Sequence, residues 1–333
     1  MSRKTAGAGI DGVCVIDKPP GWTSHDVVAK ARRQLGTSKV GHAGTLDPGA
    51  TGVLVLGVGR ATRLLRFLTE LPKSYVGEVV FGSRTSTLDN EGEVIASFDM
   101  TGLTLDRARQ VARGFVGEIE QVPPMVSALK VGGRRLHELA REGIEVERAA
   151  RPVTVHRLEI TALVSPDGPV MGIEVDCSSG TYVRTLADDL GRELGGGAHL
   201  RNLRRTAIGP FTLDRAQRLR GDPRNGIERD GIERNGIERN ELEREALVLL
   251  PPSSAVSHLP TVTVDEDVVA LVATGRSLAC SGESARFEGD GPWALQRETG
   301  ELAGVYERIG DRAKPVVVLI QPEDLAVHEA KHG

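Results

Sequence analysis

The chain has 333 residues, 39% of them hydrophobic, with 46 acidic and 42 basic side chains for a net charge of −4. That length and apolar content describe a globular protein of about two domains and exclude a disordered chain, while the mild acidity gives no overall polyanion-binding signature and no apolar run approaches a membrane span. Cys14, Cys177 and Cys280 are odd in number and outside any C-x-x-C spacing, so they predict buried small side chains, and the start MSRKTAGAGIDG lacks a signal-peptide apolar region, which places the chain in the cytoplasm.

In chain order, Val13 to Ile16 predicts a short buried strand, then a turn at Lys18-Pro19-Pro20-Gly21, then a helix starting near Thr23 or Ser24 with Val27, Val28, Ala31 and Leu35 as its apolar stripe. The loop Gly41-His42-Ala43-Gly44-Thr45-Leu46-Asp47-Pro48-Gly49-Ala50-Thr51-Gly52 follows, setting one carboxylate among four glycines ahead of the apolar run Val53 to Val58. A helix is expected at about Ala61 to Thr69, a strand at Ser74 to Phe81, a helix from an N-cap at Thr104 to Arg113, and strands over Val153 to Leu163 and Val170 to Cys177. Glycines 180 and 191 bracket another helix. Strands and helices do not alternate regularly, which favours an α+β sheet over a doubly wound parallel one.

Residues 222 to 245 carry a pentapeptide repeat, GIERD-GIERN-GIERN, whose single Ile per unit cannot build a core; it reads as a mobile, low-complexity surface insertion. From about Thr261 come a helix at Asp265 to Ala273 and short strands near Trp293 to Gln296, Leu302 to Tyr306 and Val316 to Ile320. The resulting division is a flexible 1–11, a main unit 12–221, the insertion 222–245, a connector 246–260, a small unit 261–325 and a tail 326–333. Charge follows it: residues 1–221 carry 30 basic and 25 acidic side chains, and residues 261–333 carry 7 and 13. Arg201, Arg204, Arg205, Arg215, Arg218 and Arg220 gather within twenty residues against Asp214 alone, a candidate phosphate-facing cluster or, more simply, a solvated edge.

Asp47-Pro48-Gly49 has turn chemistry, with Asp first and Pro second, so Asp47 either stabilises a turn or is presented by one to a pocket. Gly57-Val58-Gly59 lacks the third glycine of a dinucleotide fingerprint. Tyrosine occurs three times, and Tyr75 and Tyr182 each read as a core aromatic or as a stacking floor for a base.

Five ordered blocks then point one way: Val15 to Ser24, Gly41 to Gly52 with Gly57 to Thr62, Lys73-Ser74-Tyr75, Cys177 to Gly191, and Gly197 to Arg205. Together they strongly resemble the TruB family of tRNA pseudouridine synthases. The resemblance implies a pseudouridine synthase fold, with a mixed, mainly antiparallel sheet flanked by helices and a small C-terminal PUA-like β-barrel module. It implies that Asp47 is the nucleophile toward a flipped uridine at T-loop position 55, and that Arg184 pairs with Asp47, keeping it ionised and aimed. Tyr75 would stack on the target base, Tyr182 and Leu203 would wall the pocket, His42 would contact the T loop, and Lys18 would support the site. No cofactor or metal is implied. The partner is the T-arm stem-loop of tRNA, met by a monomer without guide RNA, since the chain ends Ala330-Lys331-His332-Gly333 and lacks the lysine-rich tail of the guide-dependent relative. An alternative is a tRNA-binding folding chaperone whose catalysis is secondary.

Overall fold

The computed structural model describes residues 10–127, 129–162, 168–219, 221, 247–280 and 287–325. The pentapeptide insertion, Arg220, the first nine residues and the tail from 326 lie outside the described residues. β1 (Gly12–Lys18) and β3 (Thr51–Val58) are buried along almost their whole length. Because successive side chains point to opposite faces, Val13, Val15, Val53 and Val55 enter one core while Cys14, Ile16, Leu54 and Leu56 enter another. The second core lies under α1 (Ser24–Leu35), whose Val27, Val28 and Ala31 fill it. Thr23 caps α1 through a reciprocal box with Asp26, so the helix starts where the sequence predicts.

The main sheet continues with β2 (Val40–His42), β4 (Lys73–Phe81), β7 (Gly117–Gln121), β10 (Arg151–Ala162), β11 (Val170–Cys177), β12 (Ala198–Ile208) and β13 (Phe211–Thr212). Small hairpins β5 (Ser83–Thr85) with β6 (Val94–Ser97), and β8 (Lys130–Val131) with β9 (Arg134–Arg135), stand outside it. Its strand order is β1-β3-β12-β4-β11-β10-β7, with β2 on β3 and β13 on β12. Every pairing is antiparallel apart from β3 with β12, which meet in parallel at Arg204↔Thr51 and Arg205↔Gly52. The mixed, mainly antiparallel α+β sheet is thus present. Since β1 occupies one edge of β3, β2 and β12 share the other, and the loop carrying Asp47 rises where they part. α3 (Leu105–Ala112) and α5 (Val183–Glu193) pack on β4, β10, β11 and β12 around a third core that includes Val79, Ile160, Ile173 and Leu186.

Two expectations for the main unit change. The helix expected at 61–69 is a 3-10 turn over Gly59–Leu64 followed by the short α2 (Leu65–Thr69), because Gly57 and Gly59 pack tightly against Ala61 and Asp11 rather than opening a regular helix onto a ligand. Gly191 does not end its helix: α5 runs through it to Glu193, and a Cβ there would lie 2.4 Å from the Ala198 nitrogen, so the glycine gives clearance to β12. A short α4 (Leu136–Arg141) was not anticipated.

The C-terminal unit holds β14 (Thr261–Val264), α6 (Glu266–Ala273), β15 (Leu278–Ala279), β16 (Trp293–Arg297), β17 (Leu302–Ile309) and β18 (Arg312–Val318). The last strand starts earlier than its apolar run suggests, since the tight turn after Ile309 fixes the register at Ile309↔Arg312. Its sheet order, β14-β16-β17-β18-β15, leaves β14 and β15 unpaired with each other, so among the described residues the expected barrel is an open five-stranded sheet. Ala255 and Val256 of the connector and Ala294, Leu302, Val305, Val317 and Leu319 of this sheet share the core of Val13 and Val53, which fuses the unit to the main one. No helix among the described residues is long and apolar enough to cross a membrane.

Candidate active site

The Asp47 loop is built as a turn held from below. The Ala50 amide donates to the Asp47 carbonyl at 3.1 Å, closing the Asp-Pro turn the sequence predicts. Lys18 is fully buried and its Nζ donates to the carbonyls of Pro19, Trp22 and Pro48, while the Gly21 amide also reaches Pro48 O. Ser24 Oγ accepts from the Leu46 amide at 2.9 Å. The Lys-Pro-Pro-Gly turn and the start of α1 therefore fix residues 46–48, and the Asp47 carboxylate points away from them with 41% of its surface exposed.

Arg184 comes from across the sheet, on the first turn of α5, and is 5% exposed. Its Nε lies 3.1 Å from Asp47 Oδ2 and its Nη1 3.3 Å from Asp89 Oδ2. Nη1 also donates to Thr87 O at 2.9 Å and Nη2 to Val126 O at 2.7 Å, so the guanidinium is immobilised on four sides. Such charge-assisted, multiply bonded contacts are the strong kind. Burial pushes the Asp47 carboxyl above its ordinary value; Arg184 pulls it back and Asp89 pushes it up again. Arg184 is thus the largest of the influences that favour the ionised form.

A cleft of about 240 Å³ opens over this pair, lined among others by Asp47, Tyr75, Tyr182, Arg184, Leu203 and Arg205. Tyr75 stands near the start of β4, and burial raises its hydroxyl pKa, which keeps it protonated at neutral pH. Leu203 reaches the cleft because β12 breaks register between Arg201 and Arg204, with Asn202 at φ +53°. Tyr182 caps α5, and its backbone is gripped by the Gln121 side chain, which accepts from its amide at 3.0 Å. His42 and Lys18 stand outside the cleft wall. His42 packs edge-to-face on His25 at 5.5 Å, and burial lowers its pKa. Lys18 acts from beneath, on the loop.

The loop glycines serve the protein as well. Gly52, at φ +100°, brings β3 so close to β12 that a Cβ would fall 2.1 Å from Arg205 O, and one on Gly49 would fall 2.5 Å from Glu91 Oε1. Part of the arginine cluster is likewise drawn inward: Arg201 pairs with Glu78, Arg204 with Asp17, and Arg205 is buried, whereas Arg215 and Arg218 are exposed. Asp89 and Gln121 were missed by sequence reasoning. Asp89 reaches Arg184 because its loop is bridged to Leu200 of β12, and a sequence gives no local signal of such a contact.

A carboxylate steered by a buried arginine at the floor of a tyrosine-walled cleft is equipment for covalent catalysis on a flat ring. Comparison with known proteins narrows that class. The family model for the TruB family pseudouridylate synthase N-terminal domain matches residues 32–183, and that for the tRNA pseudouridylate synthase B C-terminal domain matches 184–220. A tRNA pseudouridine synthase B of Arthrobacter sp. (strain FB24) is 42% identical over 93% of this chain and 96% of its own length. That of Symbiobacterium thermophilum is 48% identical over 82% and 85%. Among solved structures, one described as a Cbf5-Nop10-Gar1 complex superposes with a TM-score of 0.69 at 30% identity, covering 94% of this chain and 86% of the other. The chain belongs to the TruB family of pseudouridylate synthases.

Proposed function

We propose that this chain is a tRNA pseudouridine synthase that isomerises the T-loop uridine at position 55, with Asp47 as nucleophile. The observation that carries the reading is the Asp47–Arg184 contact of 3.1 Å at the floor of the cleft formed with Tyr75, Tyr182 and Leu203. Asp47 bonds covalently to the target nucleotide, the C1′–N1 bond breaks, uracil turns within the cleft, the C5–C1′ bond forms and the bond to Asp47 breaks, freeing the carboxylate. The C5 proton leaves and N1 gains one, so the isomerisation balances without an electron donor. Covalent trapping divides a hard exchange into easier steps. Flipping the base costs a few kcal/mol, and stacking on a tyrosine returns about 1–3 kcal/mol. Tyr75 supplies that stacking, Tyr182 and Leu203 the walls, and His42, on the strand that enters the loop, a contact to the RNA around it.

Residues 12–221 form the catalytic unit in this reading, and the protein works as a monomer on the T arm without guide RNA. The C-terminal unit takes the place of a PUA-like module but, with 7 basic against 13 acidic side chains over 261–333, adds little affinity. The chaperone alternative is not favoured, since the curated relatives are named as synthases over most of the chain. The test is conversion of a T-arm stem-loop by the purified chain alone. Pseudouridine at the loop uridine is expected; no conversion without an added guide RNA would overturn the reading.

A further inference from the structure

Among the described residues Arg205 is, after Trp293, the bulkiest side chain the fold encloses, at 1% exposure. A buried guanidinium normally needs a carboxylate partner. The neighbouring Arg204 has Asp17 and Arg201 has Glu78, but among the described residues Arg205 forms no ion pair. It is bonded to carbonyls instead: Nε donates to Val53 O at 2.8 Å, Nη2 to Gly44 O at 3.1 Å and Nη1 to Thr45 O at 3.4 Å. Gly44 and Thr45 begin the segment that ends in Asp47. The backbone of Arg205 is placed with equal definition, opposite Tyr75 on β4 and opposite Gly52 on β3. The missing side chain at Gly52 permits that approach.

We propose that Arg205 is a positioning residue for the reaction: it sets the Gly44–Thr45 stem of the catalytic loop level with Tyr75, and its unpaired charge favours the carboxylate form of Asp47. The proposal rests on the catalytic reading of Asp47 above. The charged groups facing Asp47 are Arg184 from α5, Asp89 from the β5–β6 loop, Lys18 from β1 and Arg205 from β12, with Glu91 close by. The three cations pull its carboxyl down while burial and the acids push it up. Removing Arg205 leaves the upward influences less opposed, so the titration midpoint of Asp47 must rise.

The test uses the full chain with Arg205→Gln and Arg205→Lys. Carbon-13 NMR follows the aspartate carboxyls against pH, with Asp47→Asn to assign the resonance, and turnover is measured on the T-arm stem-loop. In Arg205→Gln the Asp47 midpoint rises. Its kcat falls about 10²-fold, as for a small misplacement of a reacting group, with KM within about twofold. Arg205→Lys keeps the wild-type midpoint but loses about tenfold in kcat, because a point-like ammonium cannot reproduce the planar fork that reaches Val53, Gly44 and Thr45 together. An unmoved midpoint or wild-type kcat in Arg205→Gln would overturn the proposal. Should that variant lose its near-ultraviolet circular dichroism, Arg205→Lys decides: wild-type midpoint with lowered kcat supports the assignment, and wild-type kcat refutes it. Failure of the wild-type protein to convert the stem-loop would instead sink the catalytic reading, leaving the titration to judge the charge.

Discussion

Arg184 and Arg60 each stand between two aspartates, in different surroundings. Arg184 joins Asp47 and Asp89 at 3.1 and 3.3 Å in the cleft and is 5% exposed; Arg60 joins Asp11 and Asp324 at 2.5 Å each, at the seam with the C-terminal unit, and is 35% exposed. The shorter contacts belong to the weaker cluster. Water screens the Arg60 pairs, and exposed ion pairs contribute about 0–1 kcal/mol. Around Arg184 the protein has replaced water with the carbonyls of Thr87 and Val126, so the charge has nowhere else to go. In the proposed reading, environment more than distance makes one arginine part of the reacting site and the other a tether.

The comparison can be broken at several points. Arg184→Met should have the largest effect, lowering kcat about 10²–10³-fold and destabilising the fold by about 3–5 kcal/mol, because it strands Asp89 and two carbonyls beside a cavity. Single-turnover kinetics and urea midpoints read both. Gly52→Ala should cost roughly 2 kcal/mol or more, since φ +100° is strained for any side chain and the Cβ meets Arg205 O; urea unfolding measures it. Arg60→Met should cost about 1 kcal/mol or less and leave kcat unchanged. A large loss of activity there would mean that the seam, too, controls the site.

The smallest expected effect concerns pH. Because the Asp47 carboxyl is raised in the folded protein, the native state holds that proton more tightly than the unfolded chain does. Ionising Asp47 at neutral pH therefore reduces stability. Asp47→Asn should unfold at slightly higher urea than wild type at pH 7, and the gap should narrow as pH falls through the raised folded value and close below the unfolded one, about 3.9.

Much of this was legible from local pattern. The Thr23 cap, the apolar run of β3 and the Asp-Pro turn are written in neighbouring residues, and the ordered blocks around Asp47, Tyr75, Tyr182 and Arg184 named the family. What the chain could not show were contacts made by strand pairing between distant segments. Asp89 joins the site through Leu200, Gln121 holds Tyr182 from another strand, and Arg205 was read as a surface charge because nothing near it in sequence foretells Gly44, Thr45 and Val53 as acceptors. The loop glycines make room for β12 and Glu91, which their sequence spacing does not show. The open C-terminal sheet was hidden because short strands do not declare whether they close.

The central claim is that Asp47 forms the covalent link on which the isomerisation depends. Single-turnover conversion of a T-arm stem-loop by Asp47→Ala, at protein concentrations that saturate RNA binding, tests it most directly. The account predicts wild-type RNA affinity within a few fold and a rate lowered by about 10⁴-fold or more. An Asp47→Ala protein that forms pseudouridine at the wild-type rate would contradict it.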